Sequence, residues 1–219
     1  LSLHDALPIY DLVATYEFCK AAARKFSGQM TAWEFWNEPE LQGFNQDPSW
    51  DLAAAHKAAY LGFKAGDPNV DVLIGSNCVH PAPRFFEVLM RNGVGDYMDI
   101  FNFHVYTPLN QYQEIAEGKR QFISRYGQED KPMWVTENGL GVEGTGKEDP
   151  IVPGSTLREH DREQELAQAE LMVKAQITMQ SLGVARDFSF VFPPYNERGG
   201  GKVWGIFRWD YTVKPAYVA

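Results

Sequence analysis

Two glutamates stand where apolar, strand-like segments end, and their carboxyl groups are the best candidates in this sequence for acid–base chemistry. Glu38 closes the segment 30–37, and Glu137 lies near the end of the segment 132–139. Two carboxyl groups about 5 Å apart can cleave a glycosidic bond with retention, because one protonates the leaving oxygen while the other attacks the anomeric carbon. The alternative is a pair of surface acids beside loops.

Alternating strand-like and helical segments must position these two side chains. This alternation is typical of βα units around a parallel sheet. The carboxyl ends of the strands in a parallel barrel converge on one rim, where two glutamates from different strands can face each other. The predicted strands cover residues 30–37, 71–79, 99–106, 132–139 and 185–192.

Apolar spacing and terminal residues predict the helices. Asp47 and Pro48 form a cap and first turn for a helix that runs to about residue 64, and Pro83 opens a shorter helix. The first helix has an apolar face made of Leu12, Tyr16, Cys19, Ala23 and Phe26. A later helix has a face of Ile115, Phe122, Ile123 and Tyr126. The helix 162–180 has a face of Leu166, Ala169, Val173 and Ile177, and its many Glu, Arg and Gln residues predict a solvated opposite face.

Two loops are long. Residues 140–161 form an acidic loop whose carboxylates do not have the spacing of a calcium loop, so we predict no metal. These carboxylates are Glu143, Glu148, Asp149, Glu159 and Asp161. Residues 193–209 carry three consecutive glycines between strand-like stretches and predict a flexible hairpin.

Three segments resemble clan A retaining glycoside hydrolases, which are (β/α)₈ barrels. WEFWNEPE, residues 33–40, is similar to the strand-4 motif with its Asn-Glu pair, and MWVTENG, 133–139, is similar to the strand-7 motif of the nucleophile. The two glutamates are 99 residues apart (137 − 38), which suits two intervening repeats. The closing segment 204–219 resembles the approach to the last helix of the clan, and WEFWNEPE looks most like family 39 members.

The resemblance implies a role for several side chains. Glu38 would be the acid/base with the higher pKa, Glu137 the nucleophile, and Asn37 a ligand of the sugar 2-hydroxyl. Tyr106 would donate its hydroxyl to Glu137. His104 would present a polar group towards the nucleophile, although a core histidine bonded to backbone is an equal alternative.

Aromatic residues are the candidate sugar-stacking platforms, with core packing as the alternative for each. Trp36, Trp204 and Trp209 are the candidate substrate-binding tryptophans, and Phe192 and Tyr195 belong to the same set. Trp33 and Trp36 differ by an odd number, so at least one should be ordinary packing. The sequence departs from many clan members in having Phe188, Phe190 and Phe192 in the eighth-strand segment where they place a tryptophan.

Composition narrows the class of partner. The 219 residues are 44% hydrophobic with a formal net charge of −9, which predicts a folded domain and disfavours nucleic acid and anionic membranes. No apolar run approaches the roughly 20 residues that span a bilayer, so we predict a soluble protein. Cys19 and Cys78 predict free thiols, and no cofactor is expected. The resemblance favours a secreted or periplasmic location and a carbohydrate substrate.

The predicted fold is an incomplete barrel of class α/β. Five strands match strands 4 to 8 of the clan, whereas a full barrel needs about 250 residues and eight strands. Residues 1–9 predict a non-native leader, and 10–219 one partial barrel domain with strands 1 to 3 missing. An open sheet edge invites self-association. The competing hypothesis is a truncated, carbohydrate-binding remnant without turnover, and transglycosylation is a third possibility.

Overall fold

The computed structural model describes residues 11–146, 157–196 and 201–219. The chain divides into two compact units that alternate along the sequence. The first unit takes the chain up to His104 together with Glu114–Trp134, and the second takes Val105–Gln113 together with Val135–Ala219. The predicted leader, residues 1–9, lies outside the described residues.

Strands and helices alternate as predicted. The helices are α1 (Leu12–Lys25), α2 (Ser49–Gly66), α3 (Arg84–Arg91), α4 (Tyr112–Ser124) and α5 (Arg162–Ser181). The strands are β1 (Ala32–Glu34), β2 (Asp71–Leu73), β3 (Phe101–Val105), β4 (Met133–Asn138), β5 (Val142–Glu143), β6 (Val184–Ser189) and β7 (Lys202–Val203). Among the described helices, none is long and apolar enough to cross a membrane.

The strands of the first unit run parallel. β1 pairs with β2 in the register Ala32↔Asp71, and parallel bridges continue the pairing beyond both strands. A further parallel bridge joins Asn77 to Phe103, and the Phe101 amide donates to the Pro132 carbonyl just before β4 at 3.0 Å. β1 and β2 are shorter than the predicted ranges 30–37 and 71–79, because only single bridges pair the later residues. Within the described chain, β1 has β2 as its one strand neighbour.

Helices α1 and α2 pack closely because glycines remove side chains from their contact. A Cβ at Gly62 would lie 2.4 Å from the Tyr16 carbonyl oxygen, and one at Gly66 would lie 2.3 Å from that of Lys20. Asp11 caps α1 by accepting from two amides at 2.9 Å. Cys19 and Ala23 are buried as predicted, but Leu12 and Phe26 are exposed, at 42% and 37%.

The start of α2 differs from the prediction. Pro48 is the N-cap residue, rather than the first helical residue, and no side chain caps the helix. The Asp47 backbone instead takes part in a turn, where its amide donates to Asn45 Oδ1 at 3.1 Å and its carbonyl accepts from the Asn45 amide at 3.0 Å. The Asn45 side chain therefore fixes the turn before α2, and the expected cap by the Asp47 carboxylate is not formed.

The second unit contains the end of β4 beside β6 and a small antiparallel pair. The Phe190 amide donates to the Asn138 carbonyl at 2.6 Å. β5 and β7 pair in the register Val142↔Val203, so part of the predicted loop 140–161 is a strand. An antiparallel bridge from Asn196 to Val203 agrees with the predicted hairpin. Glu148, Asp149 and two of the three glycines of that hairpin lie outside the described residues.

Helix α5 buries a different face from the predicted one. Asp161 and Gln164 form a reciprocal capping box at its start. The predicted apolar face is wrong, since Leu166, Val173 and Ile177 are 40–64% exposed. The buried residues of this helix are Glu165, Gln168, Ala175 and Met179. Glu165 and the side-chain nitrogen of Gln168 bond to the 204–208 segment, which offsets part of the cost of burying them.

Candidate active site

Glu38 follows β1 and lies beside a buried histidine of β3. Glu38 Oε1 is 2.7 Å from His104 Nδ1, and the His104 side chain is 1% exposed against 12% for that of Glu38. The pair suits proton transfer, because the imidazole can donate to a carboxylate or accept from a carboxylic acid. His104 is therefore not a core histidine bonded only to backbone.

The backbone of His104 is fixed from two sides. Its amide donates to the Asn77 carbonyl at 3.0 Å, and its carbonyl oxygen is 2.9 Å from Nε2 of His80. Burial lowers the pKa of His80 from 6.5 to about 4, so this imidazole is neutral near pH 7 and Nε2 is its donor. His80 was not predicted from the sequence, because a lone histidine before a proline gives no signal of such a contact.

Glu34 on β1 forms hydrogen bonds that connect β1 to the residues after β2 and to β3. Glu34 Oε1 accepts from the Asn102 side-chain amide at 2.7 Å and from the Ser76 backbone amide at 2.9 Å. Oδ1 of the Asn102 side chain accepts in turn from the Gly75 backbone amide at 3.2 Å. These bonds link β1, the end of β2 and β3, so the strand ends that carry Glu38 and His104 are held together with β2 between them.

The remaining candidates of the first unit are close to Glu38 in sequence. Asn37 pairs with Ser76 across a parallel bridge, and its Oδ1 accepts from the Ser76 hydroxyl at 3.3 Å. Trp36 Nε1 donates to the Phe44 carbonyl at 3.1 Å. Trp33 stacks on Phe63 at 5.1 Å and packs against the core, so one of the two tryptophans is packing as expected. Contact of Trp36 and Asn37 with substrate stays a prediction.

Glu137, on β4 in the second unit, accepts a hydrogen bond from the side chain that the resemblance assigned to it. The Tyr106 hydroxyl donates to Glu137 Oε2 at 2.6 Å, and Tyr106 is 37% exposed. A short hydroxyl donor of this kind favours the ionised form of a carboxyl group. Glu137 thus has a partner suited to a nucleophile, and the catalytic role itself stays a prediction.

Aromatic rings surround Tyr106. The Trp204 ring lies 5.0 Å from that of Tyr106 and edge-on to it, and Phe190 lies 5.7 Å from Trp204. Trp204 is 5% exposed and packs over Gly141, where a Cβ would lie 2.1 Å from the indole. This burial favours packing for Trp204, the alternative left open by its sequence. Phe190 also contacts Tyr195 at 5.3 Å.

The other predicted aromatic contacts are less enclosed. Phe192 is 60% exposed and packs edge-on against Phe207 at 4.8 Å. The Trp209 backbone amide donates to Glu159 Oε1 at 2.5 Å, and its ring is half-buried. No sugar contact is established for either ring.

A half-buried carboxyl group, that of Asp187, contacts the residue that follows Glu137. Asp187 on β6 accepts from the side-chain amide of Asn138, the residue after Glu137. Burial raises the pKa of Asp187 from 3.8 to about 6. The sequence analysis did not single out Asp187, although a charged residue inside a predicted strand was a usable signal.

Comparisons with known proteins connect this geometry to a fold. Family models and curated proteins give no match. A glucosidase from Croceicoccus marinus superposes with a TM-score of 0.71 at 20% sequence identity, over 94% of this chain and 44% of that one. The GH53 catalytic domain from Ignisphaera aggregans superposes with a TM-score of 0.64 at 17% sequence identity, over 94% of this chain and 63% of that one.

A GH39 β-xylosidase from Caulobacter crescentus gives a TM-score of 0.63 at 16% identity, over 95% of this chain and 46% of that one. The chain thus spans roughly half the length of these structures. Identities this low show the fold and leave the activity open. The predicted fold class, α/β and part of a (β/α)₈ barrel, is confirmed.

Proposed function

We propose that this chain carries the catalytic carboxyls of a retaining glycoside hydrolase that cleaves β-linked glycosides by double displacement. Glu38 is the acid/base and Glu137 the nucleophile in this proposal. The observation that supports it is that the two carboxyls have chemically different partners, an imidazole at Glu38 and a phenol hydroxyl at Glu137. Similar structures named as a glucosidase and a β-xylosidase support the substrate class.

The first half-reaction forms a glycosyl ester. Glu137 attacks the anomeric carbon while Glu38 gives its proton to the leaving oxygen, and the glycosidic carbon–oxygen bond breaks. Glu38 is then a carboxylate, and the His104 Nδ1–H can donate to it at the observed separation of 2.7 Å. His104 therefore stabilises the form of Glu38 that the second half-reaction requires.

The second half-reaction releases the sugar. Glu38 takes a proton from water, the water oxygen attacks the anomeric carbon, and the ester bond to Glu137 breaks. The Tyr106 hydroxyl is placed to stabilise the departing carboxylate, since it donates to Glu137 Oε2. Retention follows because the anomeric centre is inverted twice.

A mechanism-based label tests the nucleophile. Incubation with 2-deoxy-2-fluoro-β-glucosyl and β-xylosyl fluorides should add one fluorosugar to the intact mass, and peptide mapping should place it on Glu137. Glu137→Gln should remain unlabelled. Glu143→Gln, which removes a carboxylate from β5 in the same unit, should label like the parent chain. An unchanged mass, or a label on another residue, contradicts the proposal.

Rescue kinetics separate the two roles. Azide should restore turnover in Glu137→Ala and give a glycosyl azide of inverted configuration, because the small anion replaces the missing nucleophile. Glu38→Ala should retain activity towards 2,4-dinitrophenyl glycosides, whose leaving group needs no proton. Finding these two outcomes exchanged between the variants would reverse the assignment.

A further inference from the structure

The backbone at Glu38 is in the left-handed region, with φ of +44°. A residue with a Cβ adopts this conformation only when surrounding structure enforces it. On the N-terminal side, the bridge between Asn37 and Ser76 supplies part of that restraint. On the C-terminal side, the Leu41 amide donates to the Glu38 carbonyl at 3.0 Å and closes a turn.

Glu40, at the centre of that turn, is bound to the segment that follows β2. Its Oε1 accepts from the Cys78 amide at 2.7 Å, the Asn77 side-chain amide at 2.8 Å and the Val79 amide at 3.2 Å. Three donors on one oxygen fix this carboxylate, and with it the position of the turn. The chain on both sides of Glu38 is therefore attached to residues 76–79.

Lys119 of α4 holds the same segment from the helix side. Its side chain is 2% exposed, and Nζ donates to the Val79 carbonyl at 2.8 Å and to Asn77 Oδ1. The Asn77 amide group thus bridges Lys119 and Glu40. Burial lowers the pKa of Lys119 to about 7, and the Glu40 charge opposes that shift.

An apolar residue at position 119 would avoid the cost of burying an ammonium group. The position of this buried ammonium group is informative. Lys119 and Glu40 bind residues 77–79 from opposite sides, and Glu40 is two residues from Glu38. We propose that Glu40 and Lys119 are positioning residues that hold Glu38 in its left-handed conformation for proton transfer. The proposal rests on the assignment of Glu38 as acid/base.

Amide hydrogen exchange of the chain tests the positioning without any need for turnover. Lys119→Met should speed exchange at the Leu41, Cys78 and Val79 amides by about fivefold, since a hydrogen bond has a net stabilisation near 1 kcal/mol. Lys64→Met is the matched control. Lys64 also pairs with a carboxylate, Asp99 at 2.8 Å, but it lies near the starts of β2 and β3.

The Lys64→Met variant should leave exchange at Leu41 unchanged. Unchanged exchange at Leu41 in a folded Lys119→Met variant overturns the proposal, and so does an equal effect of Lys64→Met. If Lys119→Met fails to fold, Glu40→Gln serves in its place, because it removes the charge while keeping an acceptor oxygen. Faster exchange at Leu41 in that variant supports the proposal, and unchanged exchange overturns it.

The dependence of kcat/KM on the leaving group tests whether proton transfer is the step that the variant impairs. For Lys119→Met, kcat/KM on 4-nitrophenyl β-glucoside or β-xyloside should fall by on the order of 10²-fold, as expected for a misplacement near 1 Å. The 2,4-dinitrophenyl glycoside, which needs no proton, should keep its rate. Equal losses on both substrates would indicate general damage and overturn the proposal.

The two proposals fail in different ways. A parent chain that neither hydrolyses these glycosides nor accepts the fluorosugar label contradicts the proposed function. The exchange experiment still decides whether Glu40 and Lys119 control the backbone at Glu38. A labelled, active parent with unchanged exchange and unchanged leaving-group dependence in Lys119→Met contradicts the positioning proposal alone.

Discussion

Replacing Arg208 by methionine should destabilise the chain strongly, because it leaves a buried carboxylate without its partner. Arg208 Nε and Nη2 lie 2.6 and 2.8 Å from the two oxygens of Glu165, whose side chain is 5% exposed on α5. Removing one partner of a buried pair costs about 3–5 kcal/mol. The Arg208 side chain is itself 30% exposed, so water can reach the site and we expect a loss of about 3 kcal/mol.

Thermal and urea unfolding measure this loss. For a chain of this size, about 2–4 °C of Tm per kcal/mol gives a fall of roughly 6–12 °C. Glu170→Gln is the control on the same helix, because Glu170 and Lys174 form an exposed pair whose loss should leave the Tm nearly unchanged. The double variant Arg208→Met with Glu165→Leu should recover most of the stability. An Arg208→Met variant no less stable than Glu170→Gln would refute the reasoning.

Three further predictions follow from single contacts. Gly62→Ala should lower the unfolding free energy by about 1–3 kcal/mol through overpacking of α1 on α2. Gly118→Ala, with open space at its Cβ, should raise the unfolding free energy slightly. Equal effects of the two variants in urea unfolding would contradict this. Tyr106→Phe removes the hydrogen-bond donor at Glu137 Oε2, so kcat/KM should fall by about tenfold or more, and an unchanged kcat/KM would count against the proposed role of Tyr106. Burial lowers the pKa of His56 from 6.5 to about 4, so the folded state binds fewer protons than the unfolded state between these pH values. Stability should therefore fall as the pH drops through that window. His56→Gln should make the fall in Tm with pH shallower, and identical slopes of Tm against pH in the two proteins would contradict this.

Local sequence signals predicted the elements better than the faces that these elements bury. The start of α5 near residue 162 followed from spacing and is fixed by a capping box. Its predicted buried face was wrong because Glu165 bonds to Arg208 and the Gln168 side-chain nitrogen bonds to the Trp204 carbonyl, about 40 residues later. Periodicity counts apolar residues along one helix, and it cannot anticipate polar partners supplied by a distant segment.

The candidate site was predictable only where a motif names its residues. Tyr106 was expected to donate to Glu137, and the structure contains that bond. Lys119 was missed, although it falls between Ile115 and Phe122 on the predicted apolar face of α4. A charged residue inside such a face is a usable signal of a buried polar contact. Its partners Asn77 and Glu40 are distant in sequence, so only the fold reveals them.

The alternation of the two compact units along the chain also constrains synthesis and engineering. The first unit is built from two stretches of chain, and the segment Val105–Gln113 of the other unit lies between them. Neither unit is therefore a continuous stretch, and part of the second unit is synthesised before the first is complete. For the same reason no single cut of the chain separates the units, and a split at any one position leaves residues of at least one unit on both fragments.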